Sequence, residues 1–227
     1  MVRPETEFRL GRIDLAIFDL DGTLIDSQRD LVDSVNATRV HMGLGRLEPV
    51  LIASFVGNGA PVLIQRSLGP DATAAECARG LEFFLRYYRE HMLDNTDLYP
   101  GVRQALDRLR GAGIRMAVLT NKPVRFSEGI VDGLGLAGHF QRVYGGNSFA
   151  EKKPHPVGIE TLLGELAVGR NHAVMVGDSA VDIRTARNAG VKACGVTFGF
   201  QPETFREHPP DLLVDDLGEL ADQILVG

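Results

Sequence analysis

Two aspartates stand one residue apart at the end of an apolar run near the start of the sequence. The segment LAIFDLDGTLIDS covers residues 15–27, and Asp19 and Asp21 follow its apolar part. Asp and Gly are common turn residues, so a simple turn would explain both acids. A catalytic pair would explain them as well, with one carboxylate attacking phosphorus and the other moving protons. Residues at i and i+2 of a strand point to the same face, so both carboxylates can reach one reaction centre.

Other polar residues follow other apolar runs. Thr120 and Asn121 follow RMAVL, and Asp178 follows AVMVG. Two carboxylates and a phosphate dianion repel one another, and a divalent cation together with a lysine would offset that repulsion. Asp178 is placed to bind the cation. Lys153 lies on a loop that two prolines stiffen, which makes it the candidate lysine.

Asp182 permits two compatible interpretations. It lies four residues beyond Asp178, where it could be a further metal ligand. The pattern Ser179-x-x-Asp182 is also that of a capping box at the start of a helix.

The elements that must position these residues alternate between strand and helix. Helical spacing is clear at Val102, Ala105, Leu106 and Leu109, which share one face. Short apolar runs predict buried strands at 15–21, 115–121, 173–179 and 193–198, with weaker edge strands at 142–146 and 212–216. This order predicts an α/β fold, a doubly wound parallel sheet that binds its ligand beyond the carboxyl ends of the strands.

The alternation fails between residues 26 and 96, where only helical patterns occur. Leu81, Leu85, Tyr88 and Met92 are spaced to share one face of a helix there. We expect a catalytic core formed by residues 1–25 and 97–227, and a helical cap domain at 26–96 that acts as a lid. A helical layer packed rigidly on the sheet is the alternative.

The composition excludes several classes of protein. The chain has 227 residues, 44% of them hydrophobic, and a formal net charge of -6, which argues against a nucleic-acid surface. The start, MVRPETEFRLGR, predicts neither a signal peptide nor a membrane anchor, so a cytoplasmic protein is expected. The six histidines lack zinc-site spacing, which leaves an oxygen-ligated ion such as Mg²⁺. Cys77 and Cys194 have no CxxC spacing and are expected to be buried free thiols.

Four segments in order resemble the motifs of the haloacid dehalogenase (HAD) superfamily of aspartate-nucleophile phosphotransferases. They are DLDGTLIDS, VLTNK, KKPHP and VGDSAVD, and the similarity runs from about residue 13 to the C-terminus. The resemblance implies a HAD-like Rossmannoid core with a cap inserted after the first strand. It also implies a hydrolase that forms an aspartyl-phosphate. The dehalogenases of this superfamily lack the second aspartate, so the presence of Asp21 favours phosphate chemistry.

The resemblance also assigns roles to residues. Asp19 would be the nucleophile, Asp21 the acid and base, and Lys153 the residue that neutralises charge. Thr120, with Asn121 beside it, would bind the phosphate.

A metal site follows from the same resemblance. Mg²⁺ would be bound by Asp178, the Asp19 carboxylate and the Asp21 backbone carbonyl, with Asp182 as an outer ligand.

Within the superfamily, the VGNGAPVLIQRSLG segment and the KKPHP loop resemble those of phosphoglycolate phosphatases. This implies hydrolysis of 2-phosphoglycolate to glycolate and phosphate, a reaction of carbohydrate metabolism. Asn58 and Arg66 are the cap candidates for the substrate carboxylate, which suits an arginine fork. A small-molecule substrate is expected, without nucleic acid or membrane, and a homodimer is compatible with the sequence.

Three other functions remain open. A phosphatase of another small ester, such as a sugar phosphate, would share the core residues and differ in the cap. A β-phosphoglucomutase-like transferase would pass the phosphoryl group to a sugar hydroxyl instead of water. A binding protein without activity would predict a broken motif, and none is visible.

Overall fold

The structure is a computed structural model that describes residues 10–226. The segment MVRPETEFR, for which the sequence predicts neither a signal peptide nor a membrane anchor, lies outside the described residues. The strands are β1 (Leu15–Phe18), β2 (Ile25–Asp26), β3 (Asp97–Leu98), β4 (Arg115–Leu119), β5 (Arg142–Tyr144), β6 (Ala173–Gly177), β7 (Lys192–Val196) and β8 (Leu212–Val214). The helices are α1 (Gln28–His41), α2 (Pro49–Ala53), α3 (Ala60–Leu68), α4 (Ala74–His91), α5 (Val102–Gly111), α6 (Val124–Gly133), α7 (Val157–Glu165), α8 (Ala180–Ala189) and α9 (Leu217–Val226).

Six strands form one parallel sheet in the order β5-β4-β1-β6-β7-β8. β1 is central, and Phe18 at its end pairs with Val118 of β4 and Val176 of β6. The carboxyl ends of β1, β4 and β6 are therefore neighbours. The doubly wound parallel fold is confirmed, with the two weaker strands at its edges as predicted.

Both faces of the sheet are covered because successive residues of each strand point to opposite sides. Ala16 and Phe18 belong to a core cluster with residues of α5 and α9. Leu15 and Ile17 belong to a second cluster with residues of α7 and α8. All four residues of β1 are fully buried, as a continuous apolar run in a parallel strand requires.

The predicted helix face of α5 is confirmed. Val102, Ala105, Leu106 and Leu109 are all buried, and the helix ends at Gly111. A left-handed glycine follows both α5 and α8: Gly113, at φ +79°, comes after the C-cap of α5, and Gly190, at φ +68°, is itself the C-cap of α8.

The helices α1 to α4, called the cap below, lie between β2 and β3, and β2 pairs with β3 antiparallel. The cap has its own buried cluster, which includes Val35, Ile52, Phe84 and Tyr88 and extends to Phe126 of α6. The division into two domains remains a prediction.

The predicted face of α4 packs against the cap cluster: Tyr88 is buried, and Leu81, Leu85 and Met92 are partly buried against it. Gly80 and Phe84 of the same helix are buried as well. Phe84 and Tyr88 stack on each other at 5.5 Å, so the aromatic pair determines which side of the helix faces inward.

Asp30 links the first cap helix to the segment just before β3. Its carboxylate accepts hydrogen bonds from the backbone and side chain of both Asn95 and Thr96, at 2.7 to 3.0 Å. The first cap helix is thereby tied to the segment through which the chain returns to the sheet.

Neither cysteine forms a disulfide. Cys194 in β7 is buried as expected, but Cys77 in α4 is only partly buried because it lies on the outer side of the cap helix. None of the described helices is long and apolar enough to cross a bilayer.

Candidate active site

Asp19 and Asp21 line a small cavity of about 50 Å³ between the end of β1 and the cap. The backbone N–H of Asp19 donates to the Val176 carbonyl at 2.9 Å, which extends the β1–β6 pairing by one residue. Asp19 is buried, with 8% of its surface exposed. The acids therefore end a buried strand and face the small cavity.

Lys153 pairs with two carboxylates. Its Nζ lies 2.9 Å from Asp19 Oδ1 and 2.6 Å from Asp182 Oδ1, and the residue is buried. Burial lowers the pKa of Lys153, but Asp182 and Asp19 outweigh that effect and hold the pKa above its ordinary value. Lys153 is thus a buried permanent cation against Asp19.

Asp182 uses both of its oxygens on protein donors. Oδ2 accepts from the Ser179 N–H at 3.2 Å and from the Ser179 hydroxyl at 2.8 Å, and Oδ1 accepts from Lys153. The predicted capping box is present at the start of α8. Asp182 therefore anchors Lys153, whichever role it has toward a metal.

Asp178 lies at the end of β6 and accepts a hydrogen bond from the Phe200 N–H at 2.6 Å. Gly22, at φ +78°, permits this arrangement, because a Cβ there would lie 2.2 Å from Asp178 Oδ2. The turn after Asp21 thus makes room for the carboxylate of the neighbouring strand.

Oxygen atoms of Asp19, Asp178 and Asp182 lie within 4.8 Å of one another. Burial raises the pKa of Asp19 to about 6 despite the opposing charge of Lys153. Burial, with Asp182 and Asp19 adding to it, also raises the pKa of Asp178 well above its ordinary value. Three buried carboxylates against one lysine fit a divalent cation that prefers oxygen ligands.

Asp21 is held from two sides. Ser27 Oγ donates to its Oδ1 at 2.5 Å, and Lys122 Nζ donates to Oδ1 at 2.9 Å and to Oδ2 at 3.1 Å. Lys122 also donates to the Tyr88 hydroxyl of the cap at 2.7 Å. The sequence assigned no role to Ser27, Lys122 or Tyr88. The sequence feature that could have identified Lys122 is its position directly after Asn121 in VLTNK.

Thr120 and Asn121 lie at the end of β4 and line the same small cavity. Asn121 donates from its side-chain amide to the carbonyls of Gly57 in the cap and Lys153 in the core, both at 3.0 Å. Its donors are therefore used to join cap and core, and its buried Oδ1 has no partner among the described residues. Thr120 Oγ1 accepts from the Lys122 N–H at 3.2 Å, which leaves its hydroxyl proton available.

Asn58 is brought close to the site, whereas Arg66 is not. The backbone carbonyl of Asn58 accepts from Lys152 Nζ at 2.6 Å, beside Gly59 in the loop that lines the cavity. Arg66 is exposed in the last turn of α3, and its side chain does not line the described cavities. The prediction that Arg66 binds the substrate carboxylate gains no geometric support.

A second cavity of about 610 Å³ adjoins the first at Asn121 and Phe126. Its floor is largely apolar, with Leu81 and Leu85 from α4. Its rim carries four basic side chains and one acidic one, namely Arg86, Arg89, Arg125, Lys152 and Glu82. The larger cavity thus carries a net positive charge beside the cavity that Asp19 and Asp21 line, in a protein with a net negative charge.

Comparison with known proteins covers the sheet and the cap together. The family model described as haloacid dehalogenase-like hydrolase matches residues 16–196. A phosphoglycolate phosphatase of Chromobacterium violaceum is 39% identical over 218 residues, covering 94% of this chain and 97% of that protein. One of Vibrio parahaemolyticus is 38% identical over 221 residues, with the same coverage. The crystal structure of a predicted phosphoglycolate phosphatase from Haemophilus somnus superposes with a TM-score of 0.88 at 32% identity, covering 92% of this chain and 97% of that one.

Proposed function

The chain belongs to the haloacid dehalogenase-like hydrolase family, and on that premise we propose that it hydrolyses 2-phosphoglycolate to glycolate and phosphate. The observation that carries the proposal is Asp19, a buried carboxylate at a strand end with Lys153 at 2.9 Å and a cavity in front of it. The curated relatives named phosphoglycolate phosphatase support the choice of substrate.

In the first step, a carboxylate oxygen of Asp19 attacks phosphorus, and the bond between phosphorus and the ester oxygen breaks. Asp21 gives a proton to the departing alkoxide, which leaves as the alcohol. The product on the protein is an aspartyl-phosphate at Asp19.

In the second step, Asp21 takes a proton from a water molecule that attacks the phosphorus of the aspartyl-phosphate. The bond between phosphorus and the Asp19 oxygen breaks, so inorganic phosphate leaves and both carboxyl groups return to their starting state. One residue thereby serves as acid and then as base.

Lys153 offsets negative charge on the transferring group throughout, and Thr120 binds a phosphate oxygen through its hydroxyl. Mg²⁺ is the expected cofactor, with Asp19, Asp178 and the Asp21 carbonyl as ligands and Asp182 behind them. When bound, it neutralises charge on the phosphoryl group.

Asn58 and Arg66 remain proposed contacts to the substrate carboxylate. We further propose a cytoplasmic enzyme that acts on small molecules, without nucleic acid or membrane as partners, and for which a homodimer is compatible.

The test is phosphate release from a panel of monoesters that includes 2-phosphoglycolate and sugar phosphates, with Mg²⁺ and with EDTA. We expect release from 2-phosphoglycolate with the highest kcat/KM, abolished by EDTA and by Asp19→Asn. Faster release from a sugar phosphate would overturn the choice of 2-phosphoglycolate as substrate but not the phosphatase function. No release from any ester with Mg²⁺ would overturn the function, and mutase product from a hexose bisphosphate would indicate the transferase.

A further inference from the structure

Tyr88 of the cap reaches the proton-transfer residue of the core through one intervening side chain. It is 1% exposed, and its hydroxyl accepts a hydrogen bond from Lys122 Nζ at 2.7 Å. The same Nζ lies 4.6 Å from the centre of the Tyr88 ring. The cap therefore contacts Lys122 with both parts of one tyrosine.

All N–H donors of the Lys122 side chain are directed at acceptors inside the protein. An ammonium carries three N–H donors. Two acceptors are the oxygens of Asp21, at 2.9 and 3.1 Å, and the third is the Tyr88 hydroxyl. Because both Asp21 oxygens are bound to one nitrogen, the plane of the carboxyl group follows the position of Lys122.

The three residues come from separate parts of the fold. Asp21 follows β1, Lys122 lies between β4 and α6, and Tyr88 is on α4 of the cap. Phe126 of α6 packs edge-on against the Tyr88 ring at 5.5 Å, so the contact is part of the packed boundary between cap and core. A displacement of α4 would remove the acceptor for one donor of a buried ammonium, which is unfavourable.

We propose that Tyr88 is a positioning residue for the reaction: through Lys122 it holds the Asp21 carboxyl group in the direction needed for proton transfer when the cap is seated on the core. The inference rests on the proposed function. It makes closure of the cap and orientation of the acid one event, because the hydroxyl that orients Lys122 arrives with α4.

The test removes only the hydroxyl. Tyr88→Phe should lower kcat for 2-phosphoglycolate about tenfold and change KM less than twofold, since small misplacements of a catalytic group are costly to the chemical step. Tyr87→Phe is the matched control. Tyr87 is the neighbouring tyrosine on α4, its ring stacks between Phe83 and His91, and its variant should match the wild type.

The leaving group provides a readout that a loss of folding would not give. Acetyl phosphate is about as small as 2-phosphoglycolate, but its acetate leaves without needing a proton. Because kcat/KM reports the steps up to departure of the leaving group, Tyr88→Phe should lower it about tenfold for 2-phosphoglycolate and less than twofold for acetyl phosphate. Equal losses on both esters, or a loss confined to KM, would overturn the positioning role.

A double-mutant cycle tests whether Tyr88 acts through Lys122. In the Lys122→Met background, Tyr88→Phe should have no further effect on kcat for 2-phosphoglycolate. Full additivity of the two losses would overturn the inference while leaving the proposed function intact. If the wild type releases no phosphate from any ester, the proposed function fails and this inference falls with it.

Discussion

Lys153 Nζ lies 2.9 Å from Asp19 Oδ1 although the two residues are far apart in the sequence. The pair is buried, and the second contact of Lys153, to Asp182, fixes the lysine from behind. The nucleophile proposed here is therefore accompanied by a cation whose position does not depend on substrate.

Lys153→Met should lower kcat for 2-phosphoglycolate about 100-fold or more, because a charge that faces the transferring group is lost. It should also lower the free energy of unfolding by about 3 kcal/mol, since Asp19 and Asp182 lose their buried partner. Urea unfolding and phosphate release measure the two effects. Lys152→Met, in the exposed neighbour, should change kcat less than threefold, and an equal loss there would contradict the assignment.

Gly22→Ala should impair the carboxylate cluster, because its Cβ would collide with Asp178 Oδ2. Gly43→Ala is the matched control, since Gly43 has φ +76° and no atom within 4 Å of the added carbon. Both variants should lose about 1 kcal/mol from backbone strain. Only Gly22→Ala should lose the rise in melting temperature that Mg²⁺ produces, and the same loss in both would contradict the account.

Asp30→Asn should destabilise the protein in a way that depends on pH. Burial raises the pKa of Asp30, but the hydrogen bonds from Asn95 and Thr96 outweigh it and hold the pKa below its ordinary value. The stabilisation is therefore complete above the unfolded pKa of about 3.9 and is lost as the pH falls through the folded pKa.

We expect Asp30→Asn to cost about 2 kcal/mol at pH 7 and clearly less at pH 3.5, as measured by urea unfolding. Asp33→Asn, at an exposed position of the same helix, should cost little at either pH. If the difference in free energy of unfolding between the wild type and Asp30→Asn stayed constant with pH, the interpretation would be contradicted.

The basic rim of the larger cavity should speed the capture of anionic substrates. Replacing Arg86 and Arg89 by Gln should lower kcat/KM for 2-phosphoglycolate about fivefold at low ionic strength, with kcat unchanged. Added salt should reduce the difference in kcat/KM between the double variant and the wild type. Arg79→Gln, an exposed arginine of the same helix away from the cavity, should show no such convergence with salt.

The sequence predicts the core of the fold and the location of the main acidic residues for a physical reason. Asp19, Thr120 and Asp178 each follow a continuous apolar run, and parallel strands bring such ends to one edge of the sheet. Lys153 could be proposed because prolines stiffen its loop. These are local signals, readable without knowing which distant side chains meet.

The contacts across the boundary between cap and core carry no such local signal. Which hydroxyl of α4 meets Lys122 depends on the rotation of that helix, and the stacking of Phe84 on Tyr88 decides it. The apolar spacing of α4 predicted Leu81, Leu85, Tyr88 and Met92 on one face, but it could not show that the Tyr88 hydroxyl meets Lys122. The exposure of Arg66 likewise depends on how α3 packs, not on its own sequence.

Trapping the phosphorylated protein during turnover with Mg²⁺ tests the proposed aspartyl-phosphate at Asp19 most directly; the wild type is given 2-phosphoglycolate. Asp21→Asn should slow both steps with 2-phosphoglycolate, so this variant is given acetyl phosphate, whose acetate leaves without a proton, and only its hydrolysis step is slowed. Both proteins are quenched in acid, digested with trypsin and measured by mass spectrometry. We predict one phosphoryl group on the peptide between Arg12 and Arg29, removed by hydroxylamine and missing in Asp19→Asn. Phosphate release by the wild type with no phosphoryl group on that peptide in either protein, or a phosphoryl group that persists in Asp19→Asn, would contradict the account.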